Sequence, residues 1–385
     1  MILFKECDVY TPEHIGRRDV LVGGGKVVAI GEKIPEPKGV GCEVISAGGL
    51  RLIPGLIDAH IHIAGAGGEG GPSTRTPELR LSQMLEGGVT TVIGSLGTDG
   101  FTRSVESVLM KAKSLRKEGV SAWILTGSYQ VPTPTILGDV GRDIALIEEV
   151  IGAGEVAISD HRSSCPTVAE LVRLAGHARV GGMLGGKAGI VLLHMGDLQE
   201  PFRVLYECVN ASMLPIKQFY PTHCNRNTWI YEDAKIYGKT GWLDLTASAY
   251  PYFPDDEVKP SKAIAGLLEA GVPLPHITLS SDGCGSLPAF DAAGNLVKLE
   301  VGEPKSILRE ILDSVHQERL PLETALAVAT SSPAAILKLP RKGRVAVGCD
   351  ADLVLLDKED RVYHLAANGV LLVRDAVILR KGSFE

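Results

Sequence analysis

The residues best suited to chemistry in this 385-residue chain lie in one short run, Ile53-Pro54-Gly55-Leu56-Ile57-Asp58-Ala59-His60-Ile61-His62. The run is apolar and ends in His-x-His. A strand turns successive side chains to opposite faces, so His60 and His62 share a face. Two imidazoles together at the end of a buried strand make half of a metal site. The rest of the chain must supply the other half.

The elements that would position such a site follow from the pattern around it. Residues 1–53 show hairpin grammar: Asp19-Val20-Leu21-Val22, then Gly23-Gly24-Gly25, then Lys26-Val27-Val28-Ala29-Ile30-Gly31. Residues 341–385 repeat it, with apolar runs at 351–357 and 369–375. The two ends together predict one small β-sandwich domain. Between them, residues 54–340 alternate apolar, β-branched runs with amphipathic helical patterns. The runs lie at 89–94, 122–127, 156–159, 189–194, 216–223, 243–247 and 277–282, and the opening run makes eight. Helical patterns occupy 77–86, 103–117, 168–178 and 261–270. Strict alternation of this kind predicts a parallel sheet. Eight units fit an α/β fold of the (β/α)8, TIM-type barrel class better than a doubly wound sheet, and no GxGxxG follows the first strand.

A barrel carries its active-site groups at the C-terminal ends of its strands. Reading off those ends yields His60 and His62 from the first run, His194 from the fifth, His223 from the sixth and Asp282 from the eighth. These are nitrogen and oxygen ligands of the kind zinc, manganese, cobalt or iron accepts. Their number exceeds the three protein ligands of one catalytic tetrahedral site, which points to two metals. His14, His177, His276, His316 and His364 fall on expected loops or helices and read as structural.

This arrangement resembles the amidohydrolase superfamily, as do the split β-domain and the tail Lys342-Gly343-Arg344-Val345-Ala346-Val347-Gly348-Cys349-Asp350-Ala351-Asp352-Leu353-Val354-Leu355. Four further segments are similar to the isoaspartyl dipeptidases: Gly67-Gly68-Glu69-Gly70-Gly71-Pro72-Ser73-Thr74-Arg75-Thr76-Pro77-Glu78, Ile158-Ser159-Asp160-His161-Arg162-Ser163, Pro221-Thr222-His223-Cys224-Asn225-Arg226-Asn227 and Leu279-Ser280-Ser281-Asp282-Gly283-Cys284-Gly285-Ser286. The resemblance spans nearly the whole chain.

The resemblance implies a carboxylate on the fourth strand that bridges two divalent ions, with zinc expected. The family usually supplies it as a carboxylated lysine. Counting back from Ser159-Asp160-His161-Arg162, this chain has Glu155 at that position. A glutamate brings its own carboxylate but a shorter side chain. Gly152 and Gly154 flank it and permit a close backbone approach.

Charged and polar residues near the strand ends describe the ligand. Arg162 and Arg226 can grip carboxylates bidentately. Glu69 suits an ammonium group, and Thr98 and Ser286 add hydroxyls. The phenol of Tyr129, read as ending the third strand, can polarise a carbonyl. The aspartyl half of a β-aspartyl dipeptide has the matching α-amino and α-carboxylate groups, and the resemblance assigns the same roles. It also implies metal-assisted hydrolysis, with Asp282 both a ligand and the proton carrier, and a homo-oligomer. Two alternatives stay open. One is a cyclic-amide hydrolase of the dihydroorotase or hydantoinase type; the other is a non-catalytic barrel scaffold.

Composition sets the remaining bounds. A net charge of −7 without a basic block argues against a nucleic-acid partner. Charges close to Met1 argue against a signal peptide, and no run reaches the length of a membrane span. Seven scattered cysteines without a CxxC read as reduced thiols, with Cys224 and Cys284 as packing residues, and a cytoplasmic location is expected.

Overall fold

The computed structural model describes residues 1–291 and 293–385. Eight strands ring its centre: Leu56–Ile61, Val89–Gly94, Ser121–Thr126, Val150–Ala157, Ile190–His194, Phe219–Thr222, Leu243–Thr246 and Ile277–Ser280. The first six form one parallel sheet in chain order, and the last two pair with each other. Backbone hydrogen bonds join both seams. Cys224 N–H donates to the Asp244 carbonyl at 3.0 Å, and Asp282 N–H donates to the His60 carbonyl at 3.1 Å. The second seam ties the first strand to the last and closes the (β/α)8 ring around the His60 segment.

These strands carry apolar side chains on both faces because helices cover them outside and side chains fill them inside. The helices carry the expected signals. Val105–Glu118 begins at Ser104, whose hydroxyl accepts from Ser107 N–H, and ends at Gly119 in a left-handed conformation. Its buried residues Val105, Val108, Ala112 and Leu115 recur at helical spacing. Val168–Gly185 opens with a capping box between Thr167 and Glu170. Each such cap contributes about 1 kcal/mol.

The fourth strand departs from the sequence reading. The apolar run at 156–159 marks only the end of Val150–Ala157. Its earlier half, with Gly152, Ala153 and Gly154, carries little of the hydrophobic signal that marks a strand. Those glycines have a packing reason. A Cβ on Gly154 would meet Leu192 Cβ and the Leu192 carbonyl oxygen at 2.8 Å, and one on Gly152 would meet the Ile190 carbonyl oxygen at 2.8 Å. The fourth strand therefore lies closer to the fifth than side chains would allow. That is the approach a shorter glutamate requires. The sixth run differs less: Ile216–Gln218 is a 3-10 turn leading into the strand.

Both chain ends enter one mixed sheet of nine strands. Leu353–Leu356 pairs with Arg51–Pro54, which in turn pairs with Ile2–Tyr10. Alternation divides the faces. Leu353, Leu355 and Ala366 share a core with Phe4 and Val20. Val354, Leu356, Leu365 and Ala367 join the core that runs into the barrel. The expected sandwich is thus one hydrogen-bonded sheet, eight strands in a path with Glu43–Ser46 branching from Ile2–Tyr10, and with one face clamped on the barrel. His364, expected on a loop or helix, lies on the strand Val362–Ala367, and His14 opens His14–Gly23. Both lie outside the barrel. Among the described residues, no helix is long and apolar enough to cross a membrane.

Candidate active site

The C-terminal ends of the barrel strands surround a cavity of about 550 Å³. Glu155, within the fourth strand, is fully buried behind the cavity-lining His62, His194 and His223. Its Oε2 is 3.1 Å from His60 Nε2 and 3.8 Å from His62 Nε2. Its Oε1 is 2.8 Å from His194 Nδ1 and 3.0 Å from His223 Nε2. One carboxylate thus faces two histidine pairs, one through each oxygen. His62 Nε2 also lies 3.0 Å from Asp282 Oδ1. Within two groups, His60, His62, Glu155 and Glu155, His194, His223, the ligand atoms lie within 4.8 Å of one another.

These groups fit metal ions. His60 Nε2, Glu155 Oε2 and Asp282 Oδ1 are buried without a hydrogen-bond partner among the described residues. Buried polar atoms without a well-formed hydrogen bond are costly; here His60 Nε2 faces Glu155 Oε2 at 3.1 Å and His62 Nε2 faces Asp282 Oδ1 at 3.0 Å, spacings that a shared ion would satisfy. The opposite ring nitrogens are held from behind. The Ser95 carbonyl lies 3.2 Å from His62 Nδ1, and Thr246 Oγ1 lies 2.6 Å from His223 Nδ1. Such contacts orient ligating imidazoles. His223 and Asp282 sit just past their strands with φ of 61° and 54°. This left-handed backbone is uncommon for side chains of their kind and turns both back over the ring.

Electrostatics agree. Burial opposes a charge on His60, but facing carboxylates, Glu155 foremost, push its pKa up to about 10. Burial and the neighbouring His194 push His223 down to about 4. Burial alone would raise Glu155; the charges on His60 and His194 hold it well below the usual carboxylate range. The carboxylates demand positive charge, which a proton on His60 or a metal ion can supply.

Beside this centre a second cluster forms around Glu69. Its Oε1 accepts from Ser286 Oγ at 2.9 Å, Thr98 Oγ1 at 3.1 Å and Arg162 Nη1 at 3.3 Å. Its Oε2 is buried without a partner among the described residues. Tyr129 lies three residues beyond the third strand instead of ending it, and its hydroxyl is 2.8 Å from His194 Nδ1. Four of the substrate candidates, Glu69, Thr98, Arg162 and Ser286, thus meet in one hydrogen-bonded group.

Comparison with known proteins bears on this geometry. Residues 254–379 match the model of the amidohydrolase family. A crystal structure of β-aspartyl dipeptidase from Fervidobacterium islandicum AW-1, in complex with the β-Asp-Leu dipeptide, is 44% identical, with a TM-score of 0.93. The match covers 98% of this chain and 97% of that one. A second structure of the enzyme from that organism is 41% identical, covers 98% of both chains and has a TM-score of 0.89. The chain belongs to the amidohydrolase family, among the β-aspartyl dipeptidases. The dihydroorotase of a Wolbachia strain from Drosophila simulans is more distant, 28% identical over 88% of this chain and 81% of its own.

The cavity of this amidohydrolase also gathers residues that carried no signal of their own in the sequence. Asp160 accepts from Arg162 Nε at 2.8 Å and Nη2 at 2.7 Å, and its Oδ2 lies 3.0 Å from His194 Nε2. Burial opposes the charge on Asp160, but these partners hold it well below the usual carboxylate range. The clue available beforehand was its place two residues before Arg162. Arg226 stands apart from the Glu69 cluster. It is bound to Asp197 at 2.9 and 3.3 Å, across the same cavity. Asp197 and Glu257 line that side with it, and neither belongs to a recognisable motif.

Proposed function

We propose that this amidohydrolase is a metal-dependent dipeptidase that hydrolyses the side-chain amide of β-aspartyl dipeptides. The observation that carries the reading is the Glu69–Arg162 pair beside the Glu155 centre. A carboxylate and a guanidinium 3.3 Å apart present one acceptor and one fork donor to a single small zwitterion. Of the two amide types an aspartyl residue can offer, only the β-linkage leaves both the α-ammonium and the α-carboxylate free. The similarity to the Fervidobacterium enzyme supports the same reading.

In this reading Glu69 holds the α-ammonium, with its unpartnered Oε2 as acceptor. Ser286 and Thr98 fix its orientation. Arg162, itself aimed by Asp160, holds the α-carboxylate. Arg226 exchanges Asp197 for the carboxylate of the leaving residue. His60, His62, His194, His223 and Asp282, with Glu155 as the bridge in place of a carboxylated lysine, would hold two divalent ions, zinc in our assignment. Such ions supply Lewis acidity and acidify a water toward about pH 7. The hydroxyl of Tyr129 polarises the scissile carbonyl. Asp282 takes the proton of the attacking water and delivers it to the leaving amine.

The free cysteines support a reducing, cytoplasmic setting, and we propose a homo-oligomer. The test is hydrolysis of β-Asp-Leu against α-Asp-Leu and dihydroorotate, with metal content measured on the same sample. Selective cleavage of β-Asp-Leu with about two metals per chain is expected. Equal cleavage of the α-linked isomer, or preference for the cyclic amide, would overturn the assignment.

A further inference from the structure

We propose that Glu257 selects the leaving residue, and that the preferred leaving residue carries a cationic side chain such as that of lysine. This inference rests on the dipeptidase reading and refines it.

The cavity divides by strand order. Thr98, Arg162 and Ser286 line one arc, with Glu69 hydrogen-bonded behind them, and take up the aspartyl half. Loops after the fifth, sixth and seventh strands form the other arc, where the leaving residue must lie. Glu257 belongs to the last of these loops. The loop is pinned: Val258 N–H donates to the Asn225 carbonyl at 2.9 Å, and Asn225 Nδ2 donates to the Val258 carbonyl at 3.1 Å. Glu257 is thereby held beside Arg226 on the cavity wall.

Its Oε2 is buried and has no hydrogen-bond partner among the described residues. A shielded carboxylate without a partner is costly unless something else supplies one. Arg226 makes no hydrogen bond to this oxygen; its guanidinium is turned to Asp197. The arc is also rich in negative charge. Asp197, Asp255 and Asp256 line it beside Glu257, against Arg226. Burial pushes the pKa of Glu257 up to about 8; Arg226 opposes the rise, and Asp282, Asp256 and Asp197 add to it. A cation placed beside it lowers that pKa and draws the carboxyl into its charged form, which makes the pair. Trp229 and Phe253 line the same arc and can cover the methylene stem of a long basic side chain.

The experiment measures kcat/KM of the metal-loaded enzyme on β-Asp-Lys, β-Asp-Leu and β-Asp-Glu. The expected order is Lys, Leu, Glu, with Lys ahead of Leu by about tenfold, the scale of one partly desolvated ion pair. In E257Q the Lys-to-Leu ratio should fall toward one, and in E257K the order should turn toward β-Asp-Glu. A measurement on the wild type alone reads the same subsite: inhibition by free lysine against free norleucine, which keeps the stem and lacks the charge. Lysine should inhibit at the lower concentration. Leu equal to or better than Lys in the wild type, a ratio that survives E257Q, or equal inhibition by lysine and norleucine would overturn the inference. Failure to cleave any of the three dipeptides would instead count against the dipeptidase reading itself.

Discussion

The carboxylate of Asp160 lies 3.0 Å from Nε2 of His194. With that nitrogen donating its proton, Nδ1 keeps its lone pair, and Nδ1 is the atom that faces Glu155 at 2.8 Å. In the proposed metal site Asp160 would thus favour the His194 tautomer whose Nδ1 is free to bind an ion, as outer carboxylates do in other metal sites. The same carboxylate holds Arg162. D160N should lower metal affinity or kcat by about 10- to 100-fold, the scale for such partners, and should also raise KM for β-Asp-Leu. Metal titration and steady-state kinetics on one preparation check this. A change in KM alone would mean that Asp160 serves only Arg162.

Glu155 is the residue common to both groups whose atoms converge, His60, His62, Glu155 and Glu155, His194, His223. E155A should lose at least about 100-fold in kcat and retain fewer than two metals per chain. Chelation of the wild type should abolish activity, and returned zinc or manganese should restore it. Since ions bind only the folded ring, chelation should also lower Tm. Metal at 100 times its Kd stabilises by about 2.7 kcal/mol. Calorimetry with and without chelator measures the shift.

The thiols beside the ligands should be inert. Burial pushes Cys284 up to about 12 and Cys224 higher still. At pH 8 a thiol with a pKa of about 12 is ionised at roughly one part in 10⁴, and the thiolate is the reactive form. Cys165 is exposed. Alkylation should label Cys165 first and leave hydrolysis intact, and C224A should retain a catalytic cycle. Inactivation that tracks modification of Cys224 or Cys284 would contradict this.

Glu257 should make stability depend on pH. Its folded pKa is pushed up to about 8, above that of an exposed glutamate, so the native state holds this proton more tightly than the unfolded chain. The contribution is fully present below the unfolded value and is lost as pH rises through about 8. E257Q removes the titration. Its Tm relative to wild type should therefore rise between pH 5 and pH 9, by a few degrees if about 1 kcal/mol is involved. Melts across that range read the difference; a constant offset would show that Glu257 ionises normally.

Much of this protein was legible in the chain alone. Apolar runs with period-two faces placed His60, His62, His194, His223 and Asp282 at strand ends, because strand direction and side-chain alternation are local properties of the backbone. Hairpin turns at both ends marked the mixed sheet for the same reason. Glu155 was located through the family resemblance, by counting back from Ser159-Asp160-His161-Arg162, although the glycines around it hid the strand it belongs to. Only the tertiary structure decided what these residues do to one another. Closing the ring brought Glu155 between two histidine pairs, set Asp160 against His194 as well as Arg162, paired Arg226 with Asp197, and left Glu257 shielded on the cavity wall. Apart from Asp160 with Arg162, these relations join residues on different strands or on the loops that follow them. Their distances depend on how closely the fourth strand packs against the fifth and on how the first meets the eighth, and no local pattern carries that information.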